Sequence, residues 1–230
     1  TEIIVDWEDK TSVRMSEAQL YEIRLDGNNK WMLSANGTIF TYEYEAIIPG
    51  LLKRWYAERQ EMQKKMRECG DNEIEREYWD KRQLVKKINL NSLYGEILNP
   101  GCRFFDIRIG QSVTLTGRCI TKHMASKVNE IVAGKYDHKG ESVVYGDTDS
   151  VYFSAYKTLQ KEIKEGVIPW TKDSVVALYD KIADEVNTSF KSFMTKAFHT
   201  PSTRGEVIAA GRELVASKGL FITKKRYAVL

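Results

Sequence analysis

The hydrophobic period of this 230-residue chain changes along its length, and that change restricts the fold more than any other feature. Up to about residue 42 the pattern is β-rich. Ile3-Ile4-Val5 is a short strand candidate, residues 21–25 alternate apolar and charged side chains, and Asp26-Gly27-Asn28-Asn29 marks a turn. Trp31-Met32-Leu33 and residues 35–40 continue the same pattern. From about residue 44 the period becomes helical: Leu52, Trp55, Met62 and Met66 form a stripe that ends at Cys69-Gly70-Asp71-Asn72. A second helix is predicted from about 73 to about 94, closing near Gly95 and Pro100. Two long helices joined by so tight a turn must run antiparallel.

The remainder returns to mixed structure. A helix is predicted over 108–131, and strands at 142–146 and 151–153 flank Asp147-Thr148-Asp149. An amphipathic helix over 171–196 presents Val175, Leu178, Ile182, Val186 and Phe190, and the tail over 205–230 reads as short strands. Strands with inserted and following helices, without a regular βαβ alternation, predict an α+β domain. No repeat or low-complexity segment interrupts it.

Composition excludes several classes. Hydrophobic residues make up 42% and charged residues 29%, as in an ordinary globular protein, and four prolines argue against long disordered linkers. The apolar runs are only a few residues long, too short to span a membrane. The first residues lack the basic start and apolar run of a secretion signal, and the expected cytoplasmic location rests on the cysteines. Cys69, Cys102 and Cys119 are few and widely spaced, which suits reduced thiols. Cys119 and His123 share a helix face four residues apart, but no further Cys or His is spaced to complete a zinc site. The net charge of +3 identifies no partner, whereas its distribution does more. Residues 81–91 carry Lys81, Arg82, Lys86 and Lys87 without an acid, and residues 218–230 carry Lys218, Lys224, Lys225 and Arg226 without one, two patches suited to a polyanion.

The sharpest signal is Tyr145-Gly146-Asp147-Thr148-Asp149-Ser150. Residues two apart in an extended segment face one side, so both carboxylates are expected to point toward one ion. Magnesium prefers oxygen ligands and binds through a few carboxylates plus substrate phosphates. Paired ions would lower the pKa of a sugar hydroxyl, stabilise a pentavalent phosphorus and neutralise a pyrophosphate leaving group. An isolated Asp-x-Asp reads as a hairpin turn, since Asp and Gly are turn formers. On the second predicted helix Lys87, Asn91 and Tyr94 are spaced i, i+4, i+7 and share a face that lines up a cation, an amide and a ring. These suit a triphosphate, a sugar or phosphate edge, and a base pair respectively. Arg59 falls inside the apolar stripe between Trp55 and Met62, where an arginine must snorkel or meet an anion.

With these motifs in place the sequence resembles the family B DNA polymerases. Tyr145–Ser150 matches the family's motif C, and Lys87-Ile88-Asn89-Leu90-Asn91-Ser92-Leu93-Tyr94-Gly95 matches its motif B. Arg103-Phe104-Phe105-Asp106 and Thr114-Leu115-Thr116-Gly117-Arg118 resemble its connection into the palm helix, and Lys224-Lys225-Arg226-Tyr227 resembles its KKxY segment. The matches occur in the family's order over roughly residues 36–230, and the compact form is most similar to the T-even-like phage branch.

The resemblance implies a palm, built as an antiparallel sheet with packed helices, carrying an inserted two-helix fingers hairpin. Residues 1–43 would be a palm-associated β-rich segment, 44–98 the fingers, and 99–230 the palm, ending before the thumb. It implies template-directed transfer of a nucleotide from a dNTP to a primer 3′-OH with two Mg²⁺ ions, Mn²⁺ being a substitute. Asp147 and Asp149 would be the metal-binding catalytic residues, with Asp149 the stronger ligand candidate. Arg59, Lys87, Asn91 and Tyr94 would bind the nucleotide; the lysine usual four residues after Arg59 is Gln63 here, with Lys64 adjacent but about 100° away. Gly95, Thr148, Lys224, Lys225 and Tyr227 would contact DNA, the last three on the primer side.

The family's motif A, D-x-x-S-L-Y-P-S, is absent. Asp6 follows a strand candidate, but Glu8-Asp9-Lys10-Thr11 does not continue as that motif requires, so Asp6 is read as a surface or turn residue. The expectation is therefore a palm and fingers portion that starts after motif A, lacks an exonuclease segment and is inactive by itself. Its expected partners are primer–template DNA, dNTPs, an upstream polymerase segment with motif A and exonuclease, and a sliding clamp, with no membrane; for a phage protein the location is the host cytoplasm. Two rivals remain at this level: a nucleic-acid-binding polymerase remnant without catalysis, against which the intact Asp-Thr-Asp speaks, and a reverse transcriptase or RNA polymerase, against which the Asn-Ser-Leu-Tyr-Gly string speaks.

Overall fold

The computed structural model describes residues 2–6, 10–20, 22, 30–205 and 207–230. The chain divides into two compact units, residues 1–40 with 114–230, and residues 41–113. The expected strand over 21–25 and the turn at 26–29 lie outside the described residues, apart from position 22.

In the first unit, β1 (Glu2–Asp6) and β2 (Ser12–Ser16) pair antiparallel, with Asp6 opposite Ser12. Asp6 is an exposed strand end whose carboxylate accepts a 2.6 Å hydrogen bond from Ser12 Oγ. A single turn, α1 (Glu17–Leu20), follows; it was not expected. β3 (Trp31–Leu33) pairs with β4 (Ile39–Thr41), and Gly37 supplies the positive φ of 85° that their connection requires.

The second unit is mainly a helical hairpin. α2 (Ile47–Glu68) and α3 (Glu73–Ile97) flank a turn in which Gly70 has φ 55°. Asn72 caps α3 by accepting from Glu75 N, satisfying one of the amides every helix leaves orphaned at its start. No residue of α2 is fully buried and only Ile97 of α3 is. Ion pairs line the surface instead: Lys64–Glu68, Lys65–Glu61 and Lys81–Glu77 at i,i+4, with Lys86–Glu58 bridging the helices. Exposed i,i+4 pairs contribute only about 0.3–0.5 kcal/mol each. Where the chain leaves α3, Gly110 sits so close to Leu98 that a Cβ would fall 1.8 Å from Leu98 Cδ2.

The long helix α4 (Ile107–Ala133) begins in the second unit and continues into the first. Asp106 precedes it and accepts from Arg108 N, with the Arg108 guanidinium holding its carboxyl below the usual range. Next come β5 (Val143–Asp147) and β6 (Ser150–Phe153), then the unexpected short α5 (Gln160–Lys164). α6 (Lys172–Phe198) is opened by a Thr171/Ser174 capping box, and α7 (Ser202–Gly205) follows. Strands are confined to the end of the tail, β7 (Gly219–Thr223) and β8 (Arg226–Val229), rather than spread through it as expected.

The core of the first unit lies between α4 and α6. Val128, Ile182, Val186 and Phe190 are buried together, with Met124, Ile131, Phe153 and Leu178 packed around them. Burying a side chain of this kind contributes roughly 1.5–3 kcal/mol. The α+β class holds, yet among the described residues the strands form four separate two-stranded pairs rather than one sheet. Each strand is three to five residues long, and the pairs near the site are joined through side chains rather than through a backbone ladder. Among the described residues no helix is long and apolar enough to cross a membrane.

Candidate functional site

The β5–β6 hairpin is pinned at its base and at its tip. At the base, the fully buried Asn129 of α4 accepts from Ser142 N at 3.2 Å and donates to Lys135 O at 2.7 Å. Gly140 is obligatory there, since a Cβ would fall 1.9 Å from Asn129 Nδ2. Across the hairpin, Ser154 N donates to Ser142 O, and Ala155 N donates to Tyr179 Oη on α6. The packed helices therefore fix where the strands start and end.

At the tip Asp147 pairs with Ser150, leaving Thr148-Asp149 as a two-residue loop. Such a loop needs positive φ, which glycine ordinarily supplies, yet Thr148 adopts φ 51°. A β-branched residue held there costs on the order of 1–3 kcal/mol and persists only if its surroundings enforce it. Three hydrogen bonds do so: Thr121 Oγ1 to Thr148 O at 2.8 Å, Thr148 Oγ1 to Asp147 Oδ1 at 3.2 Å, and Ser150 Oγ to Asp147 O at 3.1 Å. Asp147 is half-buried and Asp149 exposed. The two aspartates thus straddle a turn rather than alternate along one strand, which corrects the extended-segment argument while keeping both at an accessible tip.

Among the described residues no group of three His, Cys, Asp or Glu side chains is placed to hold a metal. Two hard carboxylate donors are nevertheless what magnesium takes from proteins when water and phosphate complete its shell. Asp147 and Asp149 therefore fit one side of such a centre by donor chemistry.

The β7–β8 hairpin is joined to this one. Tyr145, Tyr152, Phe221 and Tyr227 form one aromatic cluster with ring centroids 5.2–5.9 Å apart. Tyr152 donates to the Tyr227 hydroxyl at 2.9 Å, a bond that pushes the Tyr152 phenol up to about 12. Tyr145 Oη accepts from Lys225 N at 2.8 Å, and Lys225 has φ 63°. Lys224 and Lys225 form the exposed two-residue loop between Thr223 and Arg226. Tyr145 of the motif C match and Lys225 of the KKxY segment, 80 positions apart in sequence, are thereby brought together.

On the helical hairpin Arg59 is half-buried and its Nε donates to Gln83 Oε1 at 3.2 Å, a neutral amide that leaves its charge uncompensated. Among the described residues no carboxylate pairs with Arg59. Adjacent lysines on α3 differ. Lys86 is engaged by Glu58 and lies 5.6 Å from the Trp55 ring centre, while Lys87 is exposed and, among the described residues, unpaired. Asn91 and Gly95 are exposed on the same helix, and the half-buried Tyr94 donates to Gly110 O at 3.0 Å. Lys64 faces solvent and pairs with Glu68 at 3.8 Å. The structure thus separates Lys86, which braces the hairpin, from Lys87, which remains available to an anion.

His123 is spoken for. Its ring stacks on Phe193 at 4.0 Å, Nδ1 meets Tyr136 Oη at 2.7 Å, and Nε2 meets Ser189 Oγ at 2.9 Å. Ser189 spends its own proton on Val186 O, so Nε2 donates to Ser189 and Nδ1 accepts from Tyr136. Sequence reasoning missed Thr121, Gln83, Phe221 and Tyr152, each of which acts across the fold on a residue the motifs did name. Only Tyr152 carried a local signal, as an aromatic beside the hairpin.

Comparison with known proteins gives the family. The model for DNA polymerase family B matches residues 5–198. DNA polymerase 1 of Pyrococcus abyssi (strain GE5 / Orsay) is 26% identical over 194 residues, covering 84% of this chain and 21% of that protein. The DNA-directed DNA polymerase of Escherichia phage RB69 is 33% identical over 159 residues, covering 64% of this chain and 17% of that protein. The DNA polymerase delta catalytic subunit of Oryza sativa subsp. japonica is 36% identical over 109 residues, covering 46% and 10%. The chain spans about a fifth of the length of the first two. By a family match that covers most of its length, this chain belongs to the family B DNA polymerases.

Proposed function

We propose that the chain supplies part of the centre for template-directed DNA synthesis, adding dNTPs to a primer 3′-OH. The observation that carries the reading is the braced Asp147-Thr148-Asp149 tip joined to the Lys224–Lys225 loop. Asp149 and Asp147 would hold Mg²⁺, or Mn²⁺ in its place, and the ions when bound would activate the primer hydroxyl and offset charge on the leaving pyrophosphate. Lys224 and Lys225 neutralise backbone phosphates, with Tyr227 packed behind them. Arg59, whose guanidinium meets only a neutral amide, and the exposed Lys87, neither with a carboxylate partner among the described residues, hold the triphosphate. Asn91 lies on the same face, and the Tyr94 ring, its hydroxyl tied to Gly110 O, offers a flat surface to the nascent pair. In this assignment the helical hairpin is the fingers and the other unit belongs to the palm.

The sequence contains no motif A, and two carboxylates alone hold magnesium weakly. Activity is therefore assigned to this chain together with a segment that supplies the further aspartate. The test is primer extension by the chain with and without a motif A segment added or fused. Synthesis is expected only in combination, and lost with Asp149→Asn. Robust extension by the chain alone would overturn the dependence. DNA binding that ignores divalent ions, with no synthesis in combination, would instead favour a non-catalytic binding remnant.

A further inference from the structure

We infer that Thr121 of α4 is a positioning residue for the carboxylate tip, an inference that rests on Asp147 and Asp149 being metal ligands. The β5–β6 hairpin cannot by itself account for its loop. Thr148 is β-branched and sits at φ 51°, while the bonds from Thr148 Oγ1 and Ser150 Oγ run within the tip and move with it. The contact that ties this loop to a separate element is Thr121 Oγ1 to Thr148 O at 2.8 Å, across 27 residues.

The Thr121 hydroxyl has one proton and two acceptors within reach, Thr148 O at 2.8 Å and its own helix's Gly117 O at 3.1 Å. Gly117 O is an ordinary helical carbonyl, already an acceptor for the amide four residues on, so it loses little if the proton goes elsewhere. Thr148 O belongs to a loop with no ladder partner of its own. α4 is a rigid reference, since one and two turns further along the same helix Ala125 and Val128 are buried. The hydroxyl therefore transmits the position of the core to the peptide between Thr148 and Asp149. Rotation of that peptide is what would redirect the Asp149 side chain, so Thr121 sets the aim of a ligand it does not touch.

The test compares wild type, Thr121→Val, which keeps the shape and removes the hydroxyl, and Thr121→Ser, which keeps the hydroxyl. Two readouts on the 230-residue chain are used. In the first, backbone couplings and carbon shifts of Thr148 report its φ by NMR without any metal. Thr121→Val is expected to move Thr148 out of positive φ, and Thr121→Ser to retain it, with α6 resonances unchanged in both. In the second, Mn²⁺ titration is expected to weaken roughly threefold to tenfold in Thr121→Val, the size of one net hydrogen bond, and to recover in Thr121→Ser. Positive φ persisting at Thr148 in Thr121→Val overturns the inference whatever the metal does. Thr148 relaxing with Mn²⁺ affinity unchanged, while Asp149→Asn abolishes binding, overturns the link to aim. Mn²⁺ binding insensitive to Asp149→Asn overturns the metal reading itself, and with it the positioning role.

Discussion

The two units are stabilised in opposite ways. In the first, α4 and α6 enclose Val128, Ile182, Val186 and Phe190, and the large polar side chains buried there, Asn129 and His123, have dedicated partners. In the second, α2 and α3 bury one residue between them and are laced by surface ion pairs. The difference follows what each is proposed to hold. Carboxylates that must keep a fixed separation are placed on a hairpin bolted to a packed core. Arg59 and Lys87, the cations proposed to hold a triphosphate, are placed on a scaffold with little burial, where local opening costs less.

This contrast can be broken most directly at Phe190, which is 2% exposed. Phe190→Ala should cost about 3–5 kcal/mol, seen as a large drop in the thermal midpoint, whereas no single large-to-small change within α2 should approach that figure. Equal losses from the two units would end the comparison. Next in size is Gly110→Ala in the second unit. Its Cβ would overlap Leu98 and disturb the carbonyl that Tyr94 bonds, for roughly 1–3 kcal/mol by chemical denaturation. A neutral result would mean that the α3 exit is as loose as the rest of the hairpin.

Acid should separate the units further. Burial, aided by nearby Lys127, holds the His123 imidazole below the usual histidine range. The unfolded chain then takes up its proton near pH ~6.5 while the folded chain does not, so the first unit loses stability as pH falls below that value. The slope of midpoint against pH between about 5 and 7 should flatten in His123→Gln. A smaller effect is expected at Glu58, whose carboxyl is held below the usual range by its hydrogen bond from Lys86. The stabilisation from that pair is complete above the ordinary glutamate value of about 4.3 and is lost as pH falls through the lower, folded one. Glu58→Gln should remove this acid sensitivity, followed through the Trp55 indole resonance, while leaving the His123 step in place.

Much of this was legible in the chain itself. Helix periodicity located both arms of the hairpin, α4 and α6 to within a few residues, because burial of one face imposes the 3.6-residue spacing locally. The strands beside Asp147-Thr148-Asp149 were legible for a similar reason, alternation between turn formers. The tail was less so: residues 207–218 hold no strand, and their apolar residues follow no period that separates strand from irregular chain.

What the sequence determined by itself is therefore the chemistry: which carboxylates, cations and aromatic residues exist, in an order that names the family. Tertiary structure decided how they are held. Thr148 takes a conformation that its own side chain disfavours because Thr121, 27 residues earlier, makes it affordable. Lys86 and Lys87 are adjacent and identical in type, yet only the fold directs one to Glu58 and leaves the other to solvent. Such outcomes depend on hydrogen bonds between distant segments. Those bonds have no period and no composition, so they become visible only when the chain has folded.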